Sequence, residues 1–392
     1  MAQAFAPVRR VRAALTLCHS EHVRIAFVTE TWTPSVNGVV TRLAMTIECL
    51  LADGHEVLVV APEIRGAAEV PLPDGLSVMR VPSFSIPFIY GGEPWGFPLP
   101  RVTRAIAAFE PEIVHLVTPA MLGLAGLRAA RRLDLPLVAS FHTDLAAYAR
   151  FYRLGFLSGF VWWWMRRIHR RASITLVTSA HAAALVTAHG FRHVVAWRRG
   201  VDVERFDPRR RHRETRAGDR PVALSVGRLA WEKGLHRLHD LAASGLVDLV
   251  VVGDGPDRDR LAAVFEGTPT TFLGTLTGED LWRAYADADL FVFSSTTETL
   301  GLVLLEALAS GLPIVAAESP ASVELLGGRE VARLFPAEEP AAAVEAARLL
   351  LESGRETDLA SAARGLALDW DWPTATRGLV DSYRRVLLER RP

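Results

Sequence analysis

The chain has 392 residues, 50% of them apolar and 22% charged. That is enough for two globular domains and too apolar for a disordered chain. Lys+Arg and Asp+Glu both number 44, and the two cysteines, Cys18 and Cys49, are too few for a disulfide framework or a zinc site. The balanced charge conceals an asymmetry. Residues 1–200 carry 21 Arg against 13 acids, a balance of +8, and the remainder carries −8, so the front half offers a basic surface to an anionic partner. Forty-three of the 44 basic residues are arginine, and the one lysine is Lys233. Ammonium and guanidinium are not interchangeable at a tight phosphate site, so that position draws attention. No apolar run reaches the roughly 18 residues a membrane-spanning helix needs. Cysteine usage fits a reducing cytoplasm.

Residues 1–22 lack the apolar core of a signal peptide and are expected to form a flexible extension. Val23–Glu30 is a short apolar run, predicted to be a buried parallel strand. A loop with Pro34 and Asn37-Gly38 follows, then a helix over about 41–53 closed by Gly54, then a strand at His55–Pro62. This strand–loop–helix–strand unit opens a doubly wound domain. Further strands are predicted at Ile113–Val117, Leu137–Phe141, Ile174–Thr178 and Val194–Trp197, with Pro71–Pro100 as a long irregular connection. The first domain is taken as 23–201. The polar, charged stretch 202–220 reads as a linker. A second strand–helix alternation over 221–368 repeats the pattern, and a last helix, within 369–392, is expected to return towards the first domain. In such sheets ligands bind at the carboxyl ends of the strands.

Several of those ends carry chemistry. Val226–Gly234, VGRLAWEKG, sets Arg228 and Lys233 five residues apart beside a predicted helix start, a cradle for a diphosphate although not a P-loop. Ser294–Pro313, SSTTETLGLVLLEALASGLP, places Glu298 and Glu306 eight residues apart. Eight residues of helix advance about 12 Å, too far for the two carboxylates to act on one bond as a retaining glycosidase pair, which needs about 5 Å. They can grip two parts of one long ligand. Asp287-Ala-Asp289 has the form of a metal-binding D-x-D, but lies at a helix-to-strand junction where it is expected to cap and turn the chain. Gly253-Asp254-Gly255 has no third glycine and is weak evidence for a dinucleotide. His142, in FHTD, follows a strand and is expected to meet a substrate hydroxyl or phosphate.

Taken together, TETWTPSVNGVV, SFHTD, VGRLAWEKG, VVGDGP, FLGTL and TETLGLVLLEALASGLPIVA resemble, in order and spacing, the family-4 retaining glycosyltransferases of the GT-B fold, over about residues 23–330. The pattern is similar above all to bacterial enzymes that pass mannose from GDP-mannose to glycolipid or phosphatidylinositol-type acceptors, and sulfoquinovosyltransferases share similar loops. The resemblance implies an α/β chain of two Rossmann-like doubly wound domains facing a central cleft. It also implies a nucleotide-diphosphate sugar as donor, no tightly bound cofactor and no obligatory metal. Arg228 and Lys233 would neutralise the diphosphate and Gly38 would let the front loop approach it. Glu306 would hold the ribose, and Gly274 and Leu276 would frame the base. Glu298, with Thr299, Leu300 and Gly301, would hold the sugar, and His142 would contact it. Asn37, Asp144 and Tyr148 are assigned to the acceptor side. Two departures stand out: ESPASVELL (Glu318–Leu326) where the family has a glycine-rich segment, and Asn37-Gly38 where many members have two glycines.

Nine of the 21 front-half arginines fall between Arg128 and Arg171. FVWWWMRRIHRRA (Phe160–Ala172) can form a helix with Val161, Met165 and Ile168 inward and Trp163, Arg167 and Arg170 on another face. Two readings fit that face, an ordinary arginine-rich surface helix and a helix lying on anionic lipid. With lipid acceptors implied, the expectation is a cytoplasmic enzyme, peripheral on the inner face of the plasma membrane, whose partners are a sugar nucleotide, a lipid or glycolipid acceptor and an anionic surface. No nucleic-acid recognition module is visible. The alternatives are a UDP-hexose-dependent transferase with a soluble or different lipid acceptor, and a non-catalytic peripheral lipid-binding protein.

Overall fold

The computed structural model describes residues 22–35, 37–64, 71–85, 94–142, 155–214, 219–298, 301–354 and 356–390. The expected extension lies outside this set apart from residue 22, as do Asp144, Tyr148, Thr299 and Leu300. The chain forms two compact units. The first ends at Arg198 and takes up the chain again from Ala375, and the second is Arg199–Thr374.

Unit 1 is built on a seven-stranded parallel sheet ordered β3-β2-β1-β6-β7-β8-β9. Its strands are β1 (Arg24–Val28), β2 (Glu56–Pro62), β3 (Leu76–Val81), β6 (Ile113–Leu116), β7 (Leu137–Phe141), β8 (Ile174–Val177) and β9 (Val194–Ala196). The central strands β6, β7 and β8 are buried at every position, as continuous apolar runs in a doubly wound sheet should be. The helix Gly38–Ala52 starts at Asn37, whose side chain accepts from Val39 N and Val40 N at 3.1 and 3.0 Å. The segment expected to be irregular contains β3 and a small antiparallel pair, β4 (Ser83–Ser85) and β5 (Pro94–Gly96). At the sheet edge β3 is buried only at its ends, so its apolar pattern is too faint to mark it as a strand.

The last helix, Trp372–Leu388, places Leu379, Val380, Tyr383 and Val386 in the unit 1 core. Tyr383 Oη lies 2.6 Å from His115 Nδ1, and the Ser140 hydroxyl meets His115 Nε2. This buried polar chain joins the C-terminal helix to β6 and β7. Burial, reinforced by Arg42, pushes the His115 imidazole down to about 3, so it is neutral and needs both partners.

Unit 2 carries a six-stranded parallel sheet ordered β12-β11-β10-β13-β14-β15. These are β10 (Val222–Val226), β11 (Asp248–Val252), β12 (Thr270–Gly274), β13 (Leu290–Phe293), β14 (Ile314–Ala317) and β15 (Ala332–Phe335). The sequence reading missed β15, a four-residue edge strand. Residues 202–214, expected to be linker, fold into unit 2. Asp289 pairs with Arg211 and Arg213 at 2.7 Å each and accepts from Val222 N, while Asp287 accepts from the backbone of His212 and Arg213. The D-x-D carboxylates thus anchor the chain entering the sheet, in line with the capping role expected of them. The helix expected from Gly234 is shorter: two 3-10 turns, Trp231–Lys233 and Leu235–Leu238, precede an α-helix at His239–Ala243.

Both sheets reverse strand order at one place, between β1 and β6 and between β10 and β13. Crevices at such switch points are where doubly wound folds hold ligands. Tyr383→Phe, which strands His115 Nδ1 in the core, is expected to lower unfolding free energy by about 1–3 kcal/mol in chemical denaturation.

Candidate active site

The unit 2 switch point brings together Arg228, Lys233 and Glu298 of the residues singled out in its sequence. The loop after β10 carries Arg228 and the turn Trp231–Lys233, which closes on Gly234 with φ +71. A Cβ at Gly234 would stand 2.8 Å from Ser294 O, so glycine lets this turn approach the end of β13. The Ser/Thr segment after β13 ties the turn down. The Ser294 hydroxyl donates to Lys233 O at 3.1 Å and the Thr297 hydroxyl to Glu232 O at 3.3 Å. Across the gap Lys233 Nζ meets Glu298 Oε2 at 2.5 Å. Arg228 pairs one turn ahead with the buried Glu232. Burial raises the Glu298 carboxyl, but the Lys233 ammonium first, then Arg199 and Arg228, outweigh it and hold the group below the usual carboxylate range. Both cations expected to meet a diphosphate sit in ion pairs with carboxylates.

Gly253-Asp254-Gly255 proves to be a packing device. A Cβ at Gly253 would lie 1.9 Å from Gly227 O and one at Gly255 2.4 Å from Leu229 O, and Gly253 N donates to Gly274 O at 2.8 Å. The loops after β10, β11 and β12 therefore lie backbone against backbone. Gly274, with φ +73, has open space where a Cβ would be, and Leu276 packs on the core beside it.

Glu306 lies in the helix Leu302–Ala309, whose start follows Gly301 at φ +60. The buried Tyr285 hydroxyl donates to Glu306 Oε2 at 2.7 Å. Burial dominates and lifts the Glu306 carboxyl to about 7, with the Tyr285 hydrogen bond working against it. Sequence reasoning missed Tyr285, which reads as one more aromatic in an amphipathic helix. It also missed Arg199, 2% exposed, which no local pattern separates from the neighbouring Arg198.

In unit 1, His142 directly follows β7, 4% exposed, with its ring 5.4 Å from that of Trp197. Burial, then the charge of Arg42 and then His115, push its imidazole well below the usual range, leaving it neutral. Arg42, fully buried, donates to Trp197 O and Arg198 O at 2.6 and 2.8 Å and stacks on the Trp197 ring. Asn37, assigned to the acceptor side, caps its helix and donates to Thr31 Oγ1 at 2.9 Å, while Gly38 beside it is exposed. Glu30, unforeseen, lies two residues past β1 and accepts from Gly96 N at 3.0 Å and from Leu122 N; burial lifts its carboxyl to about 7 despite these bonds.

The helix Ser158–His169 buries Trp162, Met165, Ile168 and His169. Val161, expected inward, is half-buried, because Trp162 takes the place facing Phe141 and Phe191. Its opposite face is exposed. Phe156 and Phe160 are 80% and 59% exposed, Trp163 is 49% exposed, and Arg167 and Arg170 continue the same row. Among the described residues no helix is long and apolar enough to cross a membrane.

Residues 36–205 match Glycosyltransferase Family 4, and residues 207–365 match Glycosyl transferases group 1. The chain is 40% identical over 371 residues to the GDP-mannose-dependent alpha-mannosyltransferase of Mycobacterium tuberculosis (strain CDC 1551 / Oshkosh), covering 93% of this chain and 97% of that protein. It is 35% identical over 360 residues to the sulfoquinovosyl transferase of Arabidopsis thaliana, covering 87% and 69%. Among solved structures, sucrose-phosphate synthase from Thermosynechococcus elongatus superposes with a TM-score of 0.76 at 18% identity, over 94% of this chain and all of that one. Anabaena HepE in complex with UDP and glucose does so at 0.72 and 21%, over 93% and 100%. The chain belongs to the family-4 glycosyltransferases, with the two Rossmann-like domains of the GT-B fold.

Glu306 gives a signed prediction. Its carboxyl titrates near 7 in the fold and near 4.5 when unfolded, so its stability contribution is full below pH 4.5 and is lost as pH rises through about 7. Glu306→Gln is expected to melt with the wild type at pH 4.5 and about 2–4 °C above it at pH 8, read by calorimetry.

Proposed function

We propose that this enzyme transfers mannose from GDP-mannose, with retention of configuration, to a lipid or glycolipid acceptor at an anionic membrane surface. The observation that carries the reading is the Lys233–Glu298 pair at the β10/β13 switch point with Arg228 beside it. Three relatives at 33–40% identity named GDP-mannose-dependent alpha-mannosyltransferases support the donor. In this reading Arg228 and Lys233 take the diphosphate. Glu298, released from Lys233, accepts from sugar hydroxyls, and the backbone amides of Thr299, Leu300 and Gly301 donate to the sugar oxygens. Glu306 holds the ribose, and Gly274 and Leu276 border the base. Gly38, Asn37, Asp144 and Tyr148 are assigned by sequence alone, as is His142 from its place at a strand end, and a neutral His142 serves as a hydrogen-bonding group rather than a cation.

The chemistry follows from the charges. The bond from the sugar C1 to the β-phosphate oxygen breaks, and C1 bonds to the acceptor oxygen on the same face. The acceptor proton passes to the departing phosphate. Fixed cations stabilise the charge that develops on the diphosphate without reorganising, so this reading requires neither a protein nucleophile nor a metal ion. Lys233→Ala is expected to slow release of mannose from GDP-mannose in water at least about 100-fold. An unchanged rate in a radiochemical assay would remove the reading.

The membrane part rests on the exposed row Phe156, Phe160, Trp163, Arg167, Arg170 and on the basic front half. Aromatic rings flanked by guanidinium groups suit an interface of acyl chains and anionic headgroups. Related alpha-monoglucosyldiacylglycerol synthases and phosphatidylinositol monomannoside mannosyltransferases, at 25–27% identity, support a lipid acceptor. The protein is expected to sediment with phosphatidylglycerol vesicles at low salt and to dissociate as salt rises. Phe160→Ala/Trp163→Ala should lose most of that binding while keeping GDP-mannose hydrolysis.

A further inference from the structure

Arg199 has a place that neither the donor diphosphate nor the fold explains. Its guanidinium is 2% exposed, with Nη2 3.6 Å from Glu324 Oε1 on the helix Pro320–Leu326. Its Nη1 lies 3.8 Å from where a Cβ on Gly301 would stand, so it sits against the start of the Glu306 helix. It is also one of the cations acting on Glu298. A guanidinium at a helix N-terminus faces the positive end of the helix dipole, and a buried charge needs partners. Glu298 and Glu324 answer both demands. Glu324 is itself one-third exposed, and belongs to the ESPASVELL stretch that departs from the family pattern.

We propose that Arg199 is a positioning residue of the transfer site, holding Glu298 and Glu324 as a pair of fixed acceptors for the hydroxyls of the transferred sugar, with Glu324 a sugar-selecting residue. The proposal rests on the reading of Glu298 as the sugar-binding carboxylate. Lys233 attaches Glu298 directly, at 2.5 Å, and the charge of Arg199, buried beside Gly301 three residues further on, acts on the same carboxylate. When a diphosphate draws Lys233 away, Arg199 remains to keep Glu298 oriented and ionised. Glu324, attached to the same guanidinium, then faces the ligand from a second element, and recognition of one hexose over its epimers follows from two acceptors at a set spacing.

The test is GDP-mannose hydrolysis by the purified full chain across pH 5–9, with GDP binding measured by calorimetry in parallel. Arg199→Ala should lower kcat about 100-fold, the scale of a small misplacement of a reacting group, while GDP, which lacks the sugar, binds within about twofold of wild type by the same argument. The charged groups acting on Glu298 are Lys233, Arg199 and Arg228. Removing Arg199 should therefore move the acid limb of the kcat profile to higher pH, and Arg199→Lys should restore both the limb and most of the rate. Glu324→Gln, which leaves the charge of Arg199 acting on Glu298, should narrow the preference for GDP-mannose over GDP-glucose at least about tenfold. Wild-type rate and an unmoved acid limb in Arg199→Ala would overturn the proposal while leaving the donor reading intact. Should Arg199→Ala not fold, unchanged sugar preference in Glu324→Gln overturns it. A wild-type chain that binds GDP but never hydrolyses GDP-mannose would overturn the donor reading, and this proposal with it.

Discussion

One ion pair, Lys233 to Glu298, ties together the two loops that leave the central strands of unit 2. The lysine comes from a 3-10 turn after β10 and the glutamate from a Ser/Thr segment after β13. Hydrogen bonds from Ser294 and Thr297 fix the backbone of that turn, so the pair meets in one geometry. Half-buried ions this close exist only because each neutralises the other. The pair also sets Glu298 in its ionised form, the form that accepts hydrogen bonds from hydroxyl groups.

The loops around that pair depend on glycine. Gly253 and Gly255 let the loop after β11 touch the loop after β10 backbone to backbone, at separations no side chain would permit. Two carboxylates in this unit are held in opposite electrostatic conditions. Glu298 has cations around it and is kept ionised, whereas Glu306 has a tyrosine hydroxyl and apolar walls and titrates near 7. Two acids eight residues apart therefore answer pH differently, because their surroundings and not their positions in the chain differ.

Unit 1 contributes a different kind of order. Its polar core, from Tyr383 through His115 to Ser140, attaches the C-terminal helix to the central strands. Burial, then the charge of Arg42, leaves His142 uncharged beside the Trp197 ring on which Arg42 stacks. The exposed aromatic row on the helix Ser158–His169 has no counterpart in this core and is the most apolar exposed part of that helix.

The sequence alone determined the doubly wound character of both halves, because apolar strand runs separated by capped helices leave few other arrangements. It also located Arg228, Lys233, Glu298 and Glu306, since each lies just past a strand end or within a helix whose periodicity is plain. It did not reveal β3 and β15, edge strands whose apolar positions are too few to form a pattern. Nor did it distinguish Asn37 as a cap from Asn37 as a ligand, because the same side chain suits both. Tertiary structure alone decided that the D-x-D aspartates anchor the entering chain, that Tyr285 meets Glu306, and that Arg199 pairs with Glu324. Each of these depends on groups brought together from 21 to 125 residues apart, and local sequence carries no record of such meetings.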